Sequence, residues 1–210
     1  MPLSWAVRGS TAVIPTVIFV MRMLEMKRLH AAEGFTLLEL LIVIAVTGIL
    51  LGSTVMVAST VMSQSRADAA TVSVVNTLSL ARTRALTERR NFQVNFIMPN
   101  RIQVARVELT TNVPTIVSDT VLENGYRFER YSGLPDTPDQ FGGTTATSFG
   151  PSPTRLFTSE GALVDAGGDV LNGSIFLGRN GVSSSARAVT VFGVTGLLRA
   201  WKWTGQEWAE

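Results

Sequence analysis

From Phe35 to Ala58 the chain runs for 24 residues that are almost all apolar, and no residue between Leu40 and Ser65 is charged. A helix of that length reaches about 36 Å at 1.5 Å per residue, more than the ~30 Å hydrocarbon core of a bilayer. The run therefore predicts a membrane span rather than a buried core helix. One carboxylate, Glu39, stands near its start, where isolation from water is costly. Beyond the run the pattern becomes amphipathic. The stretch SRADAATVSVVNTLSLARTRALTERR has neither Gly nor Pro, and Ala67, Ala70, Val74, Leu78, Ala81 and Ala85 recur at three- and four-residue steps. That spacing predicts a continuing helix with one stripe for packing on a sheet. Arg82, Arg84, Arg89 and Arg90 fall largely away from the stripe and read as a solvated face.

After Arg90 the period changes to strict alternation. Phe92, Val94 and Phe96 predict a strand, followed by a turn at Pro99-Asn100. Ile102 and Val104 then give way to Val107 and Leu109, a change of phase that predicts a bulge near Ala105-Arg106. Further strands are expected at 115–117, 120–122 and 126–131, with Asn124-Gly125 as a turn signal. Residues 132–153 are rich in Gly, Pro, Ser and Thr and read as a long surface loop. Short strands are expected at 155–157, 162–164 and 174–177, and a closing hairpin joins 188–192 to 197–203 across GVTG. The fold class is α+β, with a long N-terminal helix packed on antiparallel sheet.

Charge and composition narrow the function. The net charge of +2 arises before Gly34, where Arg8, Arg22, Lys27 and Arg28 face Glu25 and Glu33; the rest balances 14 basic against 14 acidic residues. A globally basic nucleic-acid binder is not indicated. There is no Cys, and the one His is His30, so everything after Gly34 lacks a His-based triad, a His/Cys zinc site and a cysteine nucleophile. Basic residues before the apolar run predict a cytoplasmic N-terminus and an outward-facing C-terminal domain. A cleavable secretory signal has its small-residue site beyond the apolar core, whereas here Gly34 precedes it. The earlier stretch TAVIPTVIFVM is short, contains Pro15 and is a poor span. Met26 begins the compact basic leader MKRLHAAEG and is read as the translation start, residues 1–25 lying before it.

The stretch GFTLLELLIVIAVTGILL resembles the N-terminal signature of type IV pilins and type II secretion pseudopilins, through Gly34, Phe35, Thr36, the apolar residues that follow and Glu39. The resemblance implies that prepilin peptidase, a membrane aspartyl peptidase, cuts between Gly34 and Phe35 and methylates the new terminal amine of Phe35. It also implies that Glu39 meets the terminal amine of a neighbouring subunit in a filament. A carboxylate left alone at the centre of a membrane helix costs roughly 2.5–3.5 kcal/mol on insertion scales. The plainer reading keeps Glu39 wet at the interface. Many relatives have a proline about twenty residues into this helix; here the first proline after Gly34 is Pro99. Gly48 and Gly52 form a small-xxx-small pair. LSLARTRALTERRNFQV and IFLGRNGVSSSARAVTVFGVTGLLRAW resemble segments of GspH/FimT-type minor pseudopilins, implying a helix with two small antiparallel sheets.

The implied domains are a leader (1–34), a transmembrane and assembly helix (35–65), its amphipathic continuation (66–90) and a periplasmic β-rich domain (91–210). The implied partners are prepilin peptidase, other major and minor pseudopilins through the N-terminal helix, and inner-membrane lipid. No cofactor is expected: Asp165 and Asp169 in DAGGDVLNG do not match a recognised calcium-loop spacing. Asp136 and Asp139 read as turn residues. Some FimT-type minor pilins bind DNA through a Gly-Arg-x-Arg stretch; here GLLR keeps Gly196 and Arg199 but has Leu197 for the first Arg. Arg199 and Lys202, with Arg179 or Arg187, are the candidate nucleic-acid contacts. The plain alternative packs Trp201 and Trp203 on one strand face while Arg199 and Lys202 solvate an edge. Three functions compete: a structural subunit of a type II secretion pseudopilus that initiates or caps the filament, a type IV minor pilin that takes up DNA, and a membrane-tethered enzyme. The last is disfavoured by the missing His, Cys and nucleotide loops.

Overall fold

The structure, a computed structural model, describes residues 35–142, 145–179 and 181–210, without the side chains of 53–60. The leader with Arg22, Lys27, Arg28, His30 and Gly34, and the stretch 11–21, lie outside the described residues. The chain divides into two compact units at Thr54/Val55.

In the first unit the helix α1 (Leu37–Glu88) begins and its apolar side chains are exposed from Phe35 through Gly52. Counted over the described residues, no helix is long and apolar enough to cross a membrane. The described apolar side chains of α1, 37–52, span about 24 Å, and the expected span to Ala58 takes in 53–60.

In the second unit α1 lies on two antiparallel sheets. One sheet has the order β3-β2-β1-β6-β7, from β1 (Phe92–Ile97), β2 (Arg101–Val107), β3 (Pro114–Val121), β6 (Leu156–Phe157) and β7 (Leu163–Val164). The other runs β11-β10-β9-β8-β4, from β4 (Tyr126–Phe128), β8 (Gly173–Arg179), β9 (Val182–Phe192), β10 (Leu197–Trp203) and β11 (Trp208–Ala209), with β5 (Thr147–Ser148) also on β8. All six stripe residues, Ala67 through Ala85, are buried. They share one core with Phe92, Val94, Ile102 and Val104 of the first sheet and Ile175, Leu177, Val189 and Val191 of the second.

A second, smaller cluster lies on the opposite face of the six-stranded sheet. Phe176, Ala186, Ala188, Trp201 and Trp208 form it, with Tyr131, Leu134 and Trp203 packed against them. The alternation in β8 and β9 accounts for this: Ile175 and Leu177 face the helix while Phe176 faces away. Both strands are buried on both faces through most of their length. One ion pair pegs the helix to the sheet. Arg187, 2% exposed, donates from Nε to Asp68 Oδ1 at 2.9 Å, and Nη2 sits equally close at an angle unsuited to a second hydrogen bond.

Several expectations change in detail. The two strands expected at 115–117 and 120–122 are one, β3, because the bulge keeps its pairing with β2 intact on either side. The register shifts between Val104 and Ala105, with Val117 the extra residue. Asn124-Gly125, both at positive φ, carries the chain from one sheet to the other instead of closing a hairpin. The loop 132–153 contains β5, and β9 starts at Val182, six residues before the expected boundary. Arg82 does not simply face solvent, since its Nε donates to Gly161 O at 3.2 Å. Arg90 and Arg106 both pair with Glu108, and the Arg106 hydrogen bond holds that carboxyl below the usual range.

Leu78 reaches the centre of the main core at 2% exposure. Leu78→Ala should lower unfolding free energy by about 2–5 kcal/mol, read as an earlier urea midpoint in tryptophan fluorescence.

Candidate functional site

The first turn of α1 holds the described part of the motif. Thr36 is its N-cap: Glu39 N–H donates to Thr36 Oγ1 at 3.1 Å, and Leu40 N–H to Thr36 O at 3.1 Å. Thr36-x-x-Glu39 is the spacing of a capping box, with Phe35 and Leu40 at the positions of a hydrophobic staple. The sequence carries that signal in the Thr36-x-x-Glu39 spacing alongside the assembly and interfacial readings of Glu39. Its place in the first turn puts a carboxylate at the positive end of the helix dipole. Phe35, Leu37 and Leu38 are exposed around it, and among the described residues Glu39 has no ion pair. The site is an acid presented in an apolar surface, preorganised by its own cap.

The candidate basic residues do not form one patch. Arg187 is buried against Asp68. Arg199 does not solvate an edge: two residues before Trp201 it shares that strand face, and its Nη1 donates to Asp139 Oδ1 at 3.0 Å. Arg199 Nε lies 4.0 Å from Glu210 Oε1 as well. Lys202 is half-buried on the opposite face of β10, and Arg179 is exposed at the end of β8.

Asp139 is more than a turn residue. Its side chain is 6% exposed and accepts from Thr190 Oγ1 (2.6 Å), Trp201 Nε1 (3.3 Å) and Arg199. It ties the 132–142 loop across the outer face of the second sheet. Nothing in the sequence pattern separates it from Asp136, which does act as a turn residue. Asp136 accepts from Thr137 N (2.7 Å) and Gly142 N (2.9 Å), and it lies so close over Gly142 that a Cβ there would meet its carboxylate at 1.8 Å. Asp165 is occupied similarly: its Oδ1 accepts from Gly167 N and Asp169 N at 2.8 and 2.9 Å. Among the described residues no cluster of three or more potential metal ligands occurs.

Residues 29–55 match the prokaryotic N-terminal methylation motif. The chain is pilin-like. Such a motif marks a chain processed by prepilin peptidase, anchored in a membrane and assembled with other pilins. Residues 29–34 of the match lie outside the described residues. No curated protein matches the chain. Among solved structures, the chain is similar to the minor pseudopilin EpsH of the Vibrio cholerae type 2 secretion system, at 15% identity and a TM-score of 0.45. That match covers 65% of this chain and 97% of EpsH. It is also similar to the type IV minor pilin FimU of Pseudomonas aeruginosa, at 12% identity and a TM-score of 0.41, covering 70% and 97%.

Asp139→Ala should strand the buried Thr190 hydroxyl donor, while Trp201 Nε1 keeps Thr190 Oγ1 as acceptor at 3.1 Å, and cost about 1–3 kcal/mol. The check is a lower thermal midpoint together with a changed near-ultraviolet tryptophan signal.

Proposed function

We propose that the protein is a minor pseudopilin, a structural subunit and not an enzyme, that helps initiate or cap a type II secretion pseudopilus. Prepilin peptidase cuts between Gly34 and Phe35 and methylates the Phe35 amine. The helix then anchors the chain in the inner membrane as a single pass, with the leader cytoplasmic and the 91–210 domain periplasmic. Residues 35–65 serve assembly, and 66–90 seat the domain on the helix. The partners are other major and minor pseudopilins and the surrounding lipid.

The observation that carries this reading is Glu39 itself. It lies in the capped first turn, inside the matched motif, surrounded by exposed apolar side chains and without an ion pair among the described residues. Phe35 and Glu39 are separated by four residues, about 6 Å along a helix axis. A carboxylate so placed meets a sister subunit's terminal ammonium only in one axial register, so pairing fixes the stagger as well as neutralising the charge.

A type IV minor pilin that binds DNA for uptake has less support. Arg187 is buried against Asp68 and Arg199 is engaged by Asp139, leaving Arg179 and Lys202 on separate parts of the second sheet. A continuous cationic track of the kind that single strands need is not assembled from these residues.

Mass spectrometry of the processed chain should find an N-methylated Phe35 as first residue; any other mature terminus overturns the reading. Glu39→Ala should be cleaved and methylated normally yet enter filaments several-fold less, as counted by immunoblot of sheared pseudopili. In a gel shift with single-stranded DNA, Arg199→Ala and the parent chain should behave alike at low salt. Tight binding that weakens in the variant and falls steeply with salt would transfer support to DNA uptake.

A further inference from the structure

The first turn of α1 fixes more than the place of Glu39. The helix starts at Leu37, with Thr36 as its cap, and Phe35 and Thr36 lie outside it. The bond that prepilin peptidase is proposed to cut, Gly34–Phe35, precedes both of those residues. Upstream of it the sequence favours helix: Ala31, Ala32 and Glu33 are strong helix formers, and Gly34 is the one breaker between them and the apolar run. A single interior glycine weakens a helix only roughly fivefold against alanine. Keeping the helix from running back through the leader therefore calls for a second stop.

Thr36 supplies that stop through one donor. Glu39 N–H donates to Thr36 Oγ1 at 3.1 Å, and Leu40 N–H to Thr36 O at 3.1 Å. In a helix continued backwards, each N–H bonds the carbonyl four residues earlier. Glu39 N–H would then go to Phe35 O, and Leu38 N–H to Gly34 O. The Thr36 hydroxyl engages the first of these donors and so competes directly with the backward step. What this protects is the scissile carbonyl. In hydrolysis, water adds to the Gly34 carbonyl carbon and the bond to the Phe35 nitrogen breaks, leaving a carboxylate on Gly34 and an ammonium on Phe35. Inside a helix that carbonyl oxygen is taken by a backbone N–H and its flanking torsions are wound. Extended segments, by contrast, have main-chain groups free to pair with a binding groove.

We propose that Thr36 is a positioning residue for processing: its cap starts the helix after the scissile bond and keeps Gly34–Phe35 extended for the peptidase. The inference rests on the processing step of the proposed function. The match to the N-terminal methylation motif, over residues 29–55, spans the cap and the bond together. Serine and asparagine cap a helix about as well as threonine. Valine keeps threonine's branched shape and lacks the accepting oxygen, so it separates capping from shape.

The test uses the full-length precursor in detergent micelles with purified prepilin peptidase, and follows release of the leader by mass spectrometry. Thr36→Val should lower kcat/KM roughly threefold to tenfold, the population change that losing a typical N-cap brings. Thr36→Ser and Thr36→Asn should be cut within about twofold of the parent. In the Thr36→Val background, changing Ala31 and Ala32 to glycine weakens the upstream helix and should restore cutting; the same pair in the parent should change it little. Equal cutting of Thr36→Val and the parent overturns the inference. So does slow cutting of Thr36→Asn, which would mean that the peptidase reads threonine's shape, and so does failure of the glycine pair to rescue. A parent that is not cut after Gly34 overturns the processing reading as well, so the two failures are told apart.

Discussion

The close seat of one helix on two sheets governs the 55–210 unit. Four of its six core-facing stripe residues are alanines, and the bulk that fills the interface comes from the sheets as Phe92, Phe157, Phe128 and Tyr126. Small residues on one side and large rings on the other give interior packing density without side-chain collision. Val74 and Leu78 deepen the middle of the contact. Arg187 and Asp68 add a polar peg whose cation is buried and whose carboxylate is 56% exposed, so water shares in stabilising the pair. A bulkier residue at Ala70 or Ala81 would push the helix off both sheets at once.

The start of the same helix obeys the opposite rule. Its leucines and isoleucines have no protein covering, which makes a surface that needs lipid or neighbouring helices. Glu39 is tolerated there because Thr36 caps the turn and the helix dipole favours an acid at that end. The local fold thus stabilises the acid, which has no ion pair among the described residues.

Periodicity revealed most of this architecture. The helical stripe was readable because alanines and leucines at three- and four-residue steps leave no competing pattern, and each of the six is buried. The strand alternation at 92–96 and the closing hairpin at 188–203 were readable for the same reason. What could not be read depended on contacts distant in sequence. β5 and β11 are two residues each and exist only because β8 and β10 present free edges to them. The polar start of β9, VSSSAR, has no hydrophobic alternation to announce it. Asp139 and Asp136 look alike in LPDTPDQ; what separates them is a threonine, a tryptophan and an arginine fifty to sixty residues further on. At the N-terminal site the same few residues carry two signals, the motif through Gly34, Phe35 and Glu39 and the helix cap through the Thr36-x-x-Glu39 spacing.

The two sheets are interleaved along the chain: β3 belongs to one, β4 and β5 to the other, β6 and β7 again to the first. β4 and β5 both wait for β8, which arrives tens of residues later and then stands between β4 and β9. A polypeptide emerging N-terminus first therefore holds two orphan strands until nearly all of it is out. Loop closure of that span precedes any reward from pairing, which slows folding. Truncation at any point before Arg179 leaves the second sheet without its middle strand. The last third of the chain thus decides whether β4 and β5 find a partner at all.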